Sequence, residues 1–206
     1  MATPITHMIL TDKIYEERFS DCNKKEFILW TLLPDIRYLD KDVPRESTHI
    51  QNVSLNTIKS LTTCFDKWLH FHSLVDHIRD EFYVSRWIYI PGGDEDFIMA
   101  LKLLEDQYLY LKVKNRDEYI KFFDDIPYEK ITNIRKESLD KWYAMIKQET
   151  ISGPDDISRR EFQAELWLSK EYTDRINEII HKLQDDKKIL RLIDEFYESF
   201  WSLISK

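Results

Sequence analysis

The sequence contains very little glycine, with only Gly92, Gly93 and Gly153 among its 206 residues. All-β folds and phosphate-binding loops both depend on glycine, so this scarcity favours helices. The chain also has no GxGxxG motif, no P-loop, no low-complexity tract and no evident repeat. These absences predict an all-α protein without a glycine-rich nucleotide-binding loop.

Cysteine is almost as scarce, because Cys22 and Cys64 are the only two and they have no CxxC spacing. Two such cysteines cannot form a disulfide framework, so we expect reduced thiols in a reducing compartment. No apolar run approaches the roughly 18 residues that a transmembrane helix requires. The first residues also lack the basic start and apolar stretch of a signal peptide. These features predict a cytoplasmic protein with no transmembrane segment.

Basic residues are in the minority, with 30 Lys and Arg against 38 Asp and Glu and a net charge of −8. Proteins bind nucleic acid largely by placing Lys and Arg on phosphates and releasing counterions. No cluster of basic residues offsets the negative balance here, so an extended nucleic-acid surface is not expected.

Apolar residues are abundant, at 43% of the chain, and their spacing is helical over most of its length. A chain of this size buries roughly 70% of the surface that its unfolded form exposes, which is enough for a sizeable core. No linker is long enough to require a second domain, so we expect one helical bundle over 1–206. The predicted helices cover 5–19, 24–33, 54–83, 95–111, 116–123, 128–147, 158–183 and 186–204.

His72 and Asp76 form the most informative pair. They are four residues apart and continue the apolar stripe of the predicted helix 54–83. This spacing places the two Cβ atoms about 5–6 Å apart on one helix face, which is close enough to share an ion. A buried charge needs a partner or a metal. A hydrogen-bonded His–Asp pair is the alternative interpretation.

Three further polar residues lie next to predicted core helices. Asp35 directly follows a buried helix, His49 comes fourteen residues later in a polar loop, and His7 lies in the first helix. With His72 and Asp76 they supply three imidazoles and two carboxylates. Such a set suits Zn²⁺ or another divalent transition metal.

The order of these residues resembles the zinc-dependent phospholipase C family, which shares its all-helical fold with the zinc-dependent single-strand nucleases. The resemblance covers about the first 80 residues and rests on HM at 7–8, LLPD at 32–35, TH at 48–49 and HxxxD at 72–76. It implies that Asp35, His49, His72 and Asp76 hold the principal ion. It also implies that His7 helps to hold a second ion, bridged by Asp76.

The resemblance further implies a hydrolase in which a metal-activated water attacks a phosphoester, either a small molecule or a phospholipid headgroup. Zinc is the expected ion, and iron and manganese are the alternatives. The family has another histidine shortly after the helical aspartate, where this chain has Phe82. We therefore expect one or two ions.

Four residues are candidates for catalysis or substrate binding. Asp76 is one candidate for the base, and Asp96 is the other, as the nearest match by spacing to the family's final acidic ligand. Arg79, one helical turn after Asp76, is expected to bind a substrate phosphate, and a salt bridge to a nearby carboxylate is its alternative role. Arg45 is a second candidate phosphate ligand.

A non-catalytic protein is the rival hypothesis. In it the same histidines and aspartates hold a structural metal or form a buried hydrogen-bond network, and the protein binds a partner. The sequence does not indicate an oligomeric state.

Overall fold

The computed structural model describes residues 3–89, 92–131 and 134–205. Helices make up 73% of the structure, and the described residues contain no strand, which confirms the predicted all-α class. The helices pack into one compact body. The described α-helices are α1 Pro4–Arg18, α2 Lys24–Thr31, α3 Arg45–Thr48, α4 Leu55–Ser60, α5 Cys64–Ser85, α6 Glu95–Tyr110, α7 Arg116–Phe122, α8 Lys136–Ser152, α9 Asp156–Glu165, α10 Lys170–Leu183 and α11 Lys187–Ile204. Two short 3₁₀ helices cover Pro34–Tyr38 and Tyr128–Lys130.

The structure divides the predicted helix 54–83 into α4 and α5. Leu61, after α4, has extended backbone angles, with φ −74° and ψ 141°. The Thr63 hydroxyl then accepts a hydrogen bond from the amide of Asp66 and caps α5. Threonine is favoured at this capping position, so local capping ends one helix and starts the next although the apolar spacing continues. The prediction of a single helix is therefore wrong here.

Two other predicted helices need similar corrections. The predicted helix 158–183 is α9 followed by α10, and Trp167 between them has a left-handed φ of 63°. The Ser169 hydroxyl then caps α10. The predicted helix 128–147 is a short 3₁₀ helix followed by α8, which begins only at Lys136. Apolar residues recur on both sides of each break, so periodicity alone does not reveal it.

Helix α6 fixes the position of α1 through a buried carboxylate. Asp106 of α6 accepts hydrogen bonds from the Thr6 amide at 2.7 Å, the Thr6 hydroxyl at 2.6 Å and the Ile5 amide at 3.2 Å. Thr3 precedes α1 but makes no side-chain cap, so Asp106 satisfies amides that the helix start leaves unpaired. The first turn of α1, which carries His7, is thereby attached to α6.

A disulfide joins Cys22, just after α1, to Cys64, the first residue of α5. The expectation of two reduced thiols is therefore wrong in this structure. The two cysteines are 42 residues apart, and only the packing of α1 and α2 beside α5 brings them together. Disulfides persist mainly in oxidising compartments, so the reduced-thiol argument no longer supports the predicted cytoplasmic location. That location stays a prediction.

The length and apolarity of the helices bear on whether any of them could cross a membrane. Within residues 3–89, 92–131 and 134–205, none of the helices is both long enough and apolar enough to cross a lipid bilayer.

Asp40 attaches the segment between α2 and α4 to the start of α8. Its carboxylate is buried and accepts hydrogen bonds from Arg135 Nη2 at 2.7 Å and Nε at 3.1 Å, and from the Ser138 hydroxyl at 2.6 Å. The hydrogen bond from Arg135 is the main reason why the pKa of Asp40 is lowered. This contact matters for the rest of the molecule because Asp35 and His49 lie in the same segment.

We predict that Asp40→Ala lowers the free energy of unfolding by about 1–3 kcal/mol at pH 7, because charge-assisted hydrogen bonds are lost. The Arg135 side chain is 62% exposed, which favours the lower half of this range. A carboxyl group whose pKa is lowered on folding stabilises the fold fully above its ordinary pKa near 4. This stabilisation is lost as the pH falls through the lowered pKa of the folded state. The measurement is urea denaturation of both proteins at pH 7 and pH 3, and the difference should shrink at pH 3.

Asp42→Ala is the matched control, because Asp42 is 84% exposed and lies 3.5 Å from the same arginine. It should change the unfolding free energy by less than about 0.5 kcal/mol. Equal effects of the two substitutions would contradict the role assigned to Asp40.

Candidate metal centre

Four separate elements bring the five predicted ligands together. His7 lies in α1, Asp35 in the first 3₁₀ helix, His49 directly after α3, and His72 and Asp76 one turn apart in α5. Their exposed fractions are 1%, 5%, 7%, 0% and 7% in that order. Polar groups buried this deeply need hydrogen-bond partners or an ion.

Four atoms from this set face one another across short distances. His72 Nε2 is 3.2 Å from His49 Nε2 and 3.6 Å from Asp76 Oδ2. His49 Nε2 is 3.5 Å from Asp76 Oδ2 and 3.6 Å from Asp35 Oδ1. Within the described part of the chain, Asp35 Oδ1 has no hydrogen-bond partner. The segment 35–49 thus supplies one half of the cluster and α5 supplies the other.

The hydrogen bonds of Nδ1 in His72 and His49 determine whether Nε2 of each ring carries a proton or a lone pair. His72 Nδ1 lies 2.8 Å from the carbonyl of Thr31, which can only accept, so this nitrogen carries the proton. His49 Nδ1 lies 2.9 Å from the Thr48 hydroxyl, which lies 3.2 Å from the Arg45 carbonyl. When this hydroxyl donates to the carbonyl it accepts from His49 Nδ1, and in that tautomer both Nε2 atoms direct lone pairs at the centre of the cluster.

The protonation states agree with this arrangement. Burial lowers the pKa of His72 to about 3, and neighbouring His7 contributes, so the ring is neutral at physiological pH. Burial alone would raise the pKa of Asp76, but His72 and His7 help to lower it well below its usual value. The pKa of Asp35 is also lowered, because the nearby histidines outweigh burial. The cluster thus combines two ionised carboxylates with the neutral imidazole of His72, the forms that bind metals.

The donor set fits a divalent ion. Two imidazole lone pairs and two carboxylate oxygens repel one another when no proton or cation lies among them. Zinc bonds of about 2.0–2.1 Å in tetrahedral geometry require donor atoms about 3.3–3.4 Å apart. The observed separations of 3.2–3.6 Å are close to this value. Asp35, His49 and His72 therefore form a group that could hold one ion, and Asp76 Oδ2 lies within 3.6 Å of both imidazoles of this group.

His7 lies on the other side of the Asp76 carboxylate. Its ring stacks on that of His72 with centroids 4.0 Å apart, and its Nε2 is 3.3 Å from Asp76 Oδ1. Neither ring nitrogen of His7 has a hydrogen-bond partner among the described residues. His7, His72 and Asp76 form a second group of potential ligands, which overlaps the first. The geometry accommodates one ion, or two that share Asp76.

Asp96 does not join the cluster, contrary to the expectation that it acts there as a base. It lies in the first turn of α6, where its carboxylate pairs with Arg175 of α10. It belongs to neither group of potential ligands. The spacing of Asp96 from Asp76 is the nearest match to the family pattern. In the structure, however, α6 packs on α10, and Asp96 forms an ion pair with Arg175.

The two arginines expected to bind phosphate also have other roles. Arg79 is wholly buried, and its Nε donates to Glu105 at 2.7 Å, which is the salt-bridge alternative. The Arg45 side chain is exposed, and its contribution comes from its backbone carbonyl, which accepts from the amide of His49 and the hydroxyl of Thr48. Neither guanidinium therefore supports the expected phosphate contact.

Sequence reasoning missed a cavity of about 210 Å³ that reaches Asp35. Its walls come from the 3₁₀ helix at Pro34–Tyr38 and from α6, α8 and α9, and include Lys41 and Lys102. Lys102 interacts electrostatically with both Asp35 and Asp76. No short motif connects these residues, because they meet only when distant helices pack.

Comparisons with known proteins give no further identification. No protein-family model, no curated protein and no solved structure matches this chain. The resemblance to the zinc-dependent phospholipase C family therefore stays a hypothesis, and the buried cluster is the observation on which a functional proposal has to be based.

We predict that Thr48→Val weakens Zn²⁺ binding about 10- to 100-fold, because the hydroxyl that orients His49 is lost while the side-chain shape is kept. Thr48 is the suitable position because Thr31, the partner of His72, acts through its backbone. The measurement is competition for zinc with a chelating dye.

Thr62→Val is the matched control, because Thr62 is exposed just before α5. It should bind zinc like the wild type. Equal affinity of all three proteins would exclude the proposed orienting role of Thr48.

Proposed function

We propose that this chain is a metal-dependent hydrolase of phosphoesters, with Asp35, His49, His72 and Asp76 as the ligands of the principal ion. The observation that carries the proposal is the convergence of two imidazole nitrogens and two carboxylate oxygens, with contacts of 3.2–3.6 Å, in a buried site. Two nitrogen and two oxygen donors suit zinc, and also iron or manganese.

The cavity beside Asp35 favours catalysis over a purely structural ion. Structural zinc sites are closed by protein ligands, whereas catalytic sites keep one position for water or substrate. Asp35 belongs to the cluster and also lines the cavity of about 210 Å³. A bound divalent ion supplies a water of lowered pKa and offsets negative charge on phosphoryl oxygens.

Residues of the chain would bind the phosphate, accept the proton and orient the metal ligands. Lys102 and Lys41 line the cavity and bind the phosphate oxygens, while the buried surroundings exclude bulk water. Asp76 stays ionised beside the imidazoles of His49 and His72 and would accept the proton of the attacking water. His49 and His72 keep their orientation through Thr48 and Thr31.

The rival is a helical binding protein with a structural metal, and the deep burial of all five cluster residues supports it. A structural ion contributes directly to folding, so a chelator would lower the melting temperature strongly. Such a protein would hold metal but hydrolyse no phosphoester.

The first test is elemental analysis of protein purified without a metal-affinity tag. We predict near-stoichiometric zinc, iron or manganese in the wild type and its loss from His72→Ala, which removes an inner ligand. His77→Ala is the matched control, since this histidine is on the same helix but 58% exposed and paired with Glu81. It should retain the metal. A wild type without metal, even after incubation with each ion, would exclude the site.

The second test is hydrolysis of p-nitrophenyl phosphate and bis(p-nitrophenyl) phosphate by the same proteins. We predict turnover by the wild type and His77→Ala, and at least about a hundredfold loss in His72→Ala and Asp35→Asn. Metal without turnover of either ester would favour the structural rival.

A further inference from the structure

The cavity beside Asp35 contains polar groups that the proposed reaction does not use. Its volume of about 210 Å³ exceeds the roughly 150 Å³ of an engineered cavity that binds benzene. It therefore has room for about one substituted ring. Asp35 of the ligand cluster lines it, and α8 and α9 supply a further part of its wall.

Two buried polar side chains lie on this wall. Gln163 of α9 is 4% exposed, and its Oε1 has no hydrogen-bond partner among the described residues. Glu149 of α8 is 5% exposed and lines the same cavity. Buried polar atoms are costly when unpaired, so a ligand that donates hydrogen bonds here would be bound selectively.

Three cations, Arg159, Lys102 and Lys41, line the cavity together with the acidic residues Asp35, Asp106 and Glu149. Asp106 already accepts hydrogen bonds from Ile5 and Thr6, and Asp35 belongs to the proposed ion site, so neither is assigned to a cationic ligand. The Arg159 guanidinium donates to the side chains of Asn177, Gln107 and Asp156, and Gln163 Oε1 receives no hydrogen bond from it. Burial raises the pKa of Glu149 to about 8, which leaves this group largely neutral at pH 7.

The rest of the wall is mostly apolar and aromatic. Trp142, Phe162 and Tyr172 present rings to the cavity, and Trp142 is held in place by a hydrogen bond from its Nε1 to the Leu32 carbonyl. Rings of this kind pack against the flat apolar faces of a ring-shaped ligand. The combination of aromatic walls with a few inward acceptors is typical of a small-molecule site.

We propose that this cavity binds the organic group of the phosphoester, and that this group is a neutral, hydroxyl-bearing ring such as a sugar or cyclic polyol. This inference rests on the proposed function for the position of the phosphate, next to Asp35 and Lys102. The ring hydroxyls donate to Gln163 Oε1 and to Glu149, and the ring faces pack on the aromatic walls.

The test is isothermal titration calorimetry with three phosphonates, whose carbon–phosphorus bond resists hydrolysis. They are glucosylmethylphosphonate, cyclohexylmethylphosphonate, which has a six-membered ring without hydroxyls, and 2-aminoethylphosphonate, whose organic group carries a cationic ammonium. We expect the glucosyl compound to bind at least about tenfold more tightly than the other two, because a site with buried acceptors rejects analogues that lack the donors.

Two variants test whether Gln163 and Glu149 cause the preference for the glucosyl compound. Gln163→Met and Glu149→Leu should each reduce the preference for the glucosyl over the cyclohexyl compound about tenfold, while cyclohexyl binding is kept. Gln148→Met, at an exposed neighbouring position of α8, is the matched control and should keep the preference. Tighter binding of the cyclohexyl or aminoethyl compound, or no binding of any phosphonate, would overturn the inference.

Metal content measured on the same samples separates this inference from the proposed function. A protein that holds metal but shows no preference for the glucosyl compound contradicts the inference alone. A protein that keeps the preference but binds no metal supports the cavity assignment and contradicts the proposed hydrolase.

Discussion

The burial of two ionised carboxylates against three imidazoles is the constraint on which this structure depends. The Nε2 atoms of His49 and His72 lie 3.2 Å apart, and Asp35 and Asp76 each place a carboxylate oxygen within 3.6 Å of one of them. When both rings carry their proton on Nδ1, the inner atoms are lone pairs and carboxylate oxygens that repel one another. We propose that a divalent cation would offset this repulsion, which would explain why polar groups that are costly to bury occur together in the core.

The fold holds these groups in place through contacts outside the cluster. The Thr31 carbonyl and the Thr48 hydroxyl fix the two inner imidazoles, and Asp106 caps the helix that carries His7. Asp40 attaches the segment between Asp35 and His49 to α8, and a disulfide joins the end of α1 to the start of α5. Metal ligands supported in this way keep their geometry without the ion, so binding costs little reorganisation.

The sequence predicts the helical class and the ligand cluster well, because both depend on patterns among residues that are close in the sequence. The four-residue step from His72 to Asp76 defines a helix face, and Asp35 follows a buried helix that ends at proline. What depends on the packing of distant segments is not predictable in this way. The disulfide between Cys22 and Cys64, the ion pair that holds Asp96 and the cavity wall at Glu149 all arise from such packing. The break before α5 was missed for a different reason, since a threonine cap interrupts the helix without interrupting its apolar spacing.

The most direct test of the central claim is anomalous diffraction at the zinc absorption edge, from crystals of protein purified without a metal-affinity tag and soaked in zinc. The account predicts a peak about 2.0–2.1 Å from His49 Nε2, His72 Nε2 and one carboxylate oxygen each of Asp35 and Asp76. A second peak between His7 and Asp76 would add the second ion. Zinc found only at exposed positions such as His77, with the inner cluster empty, would contradict the account.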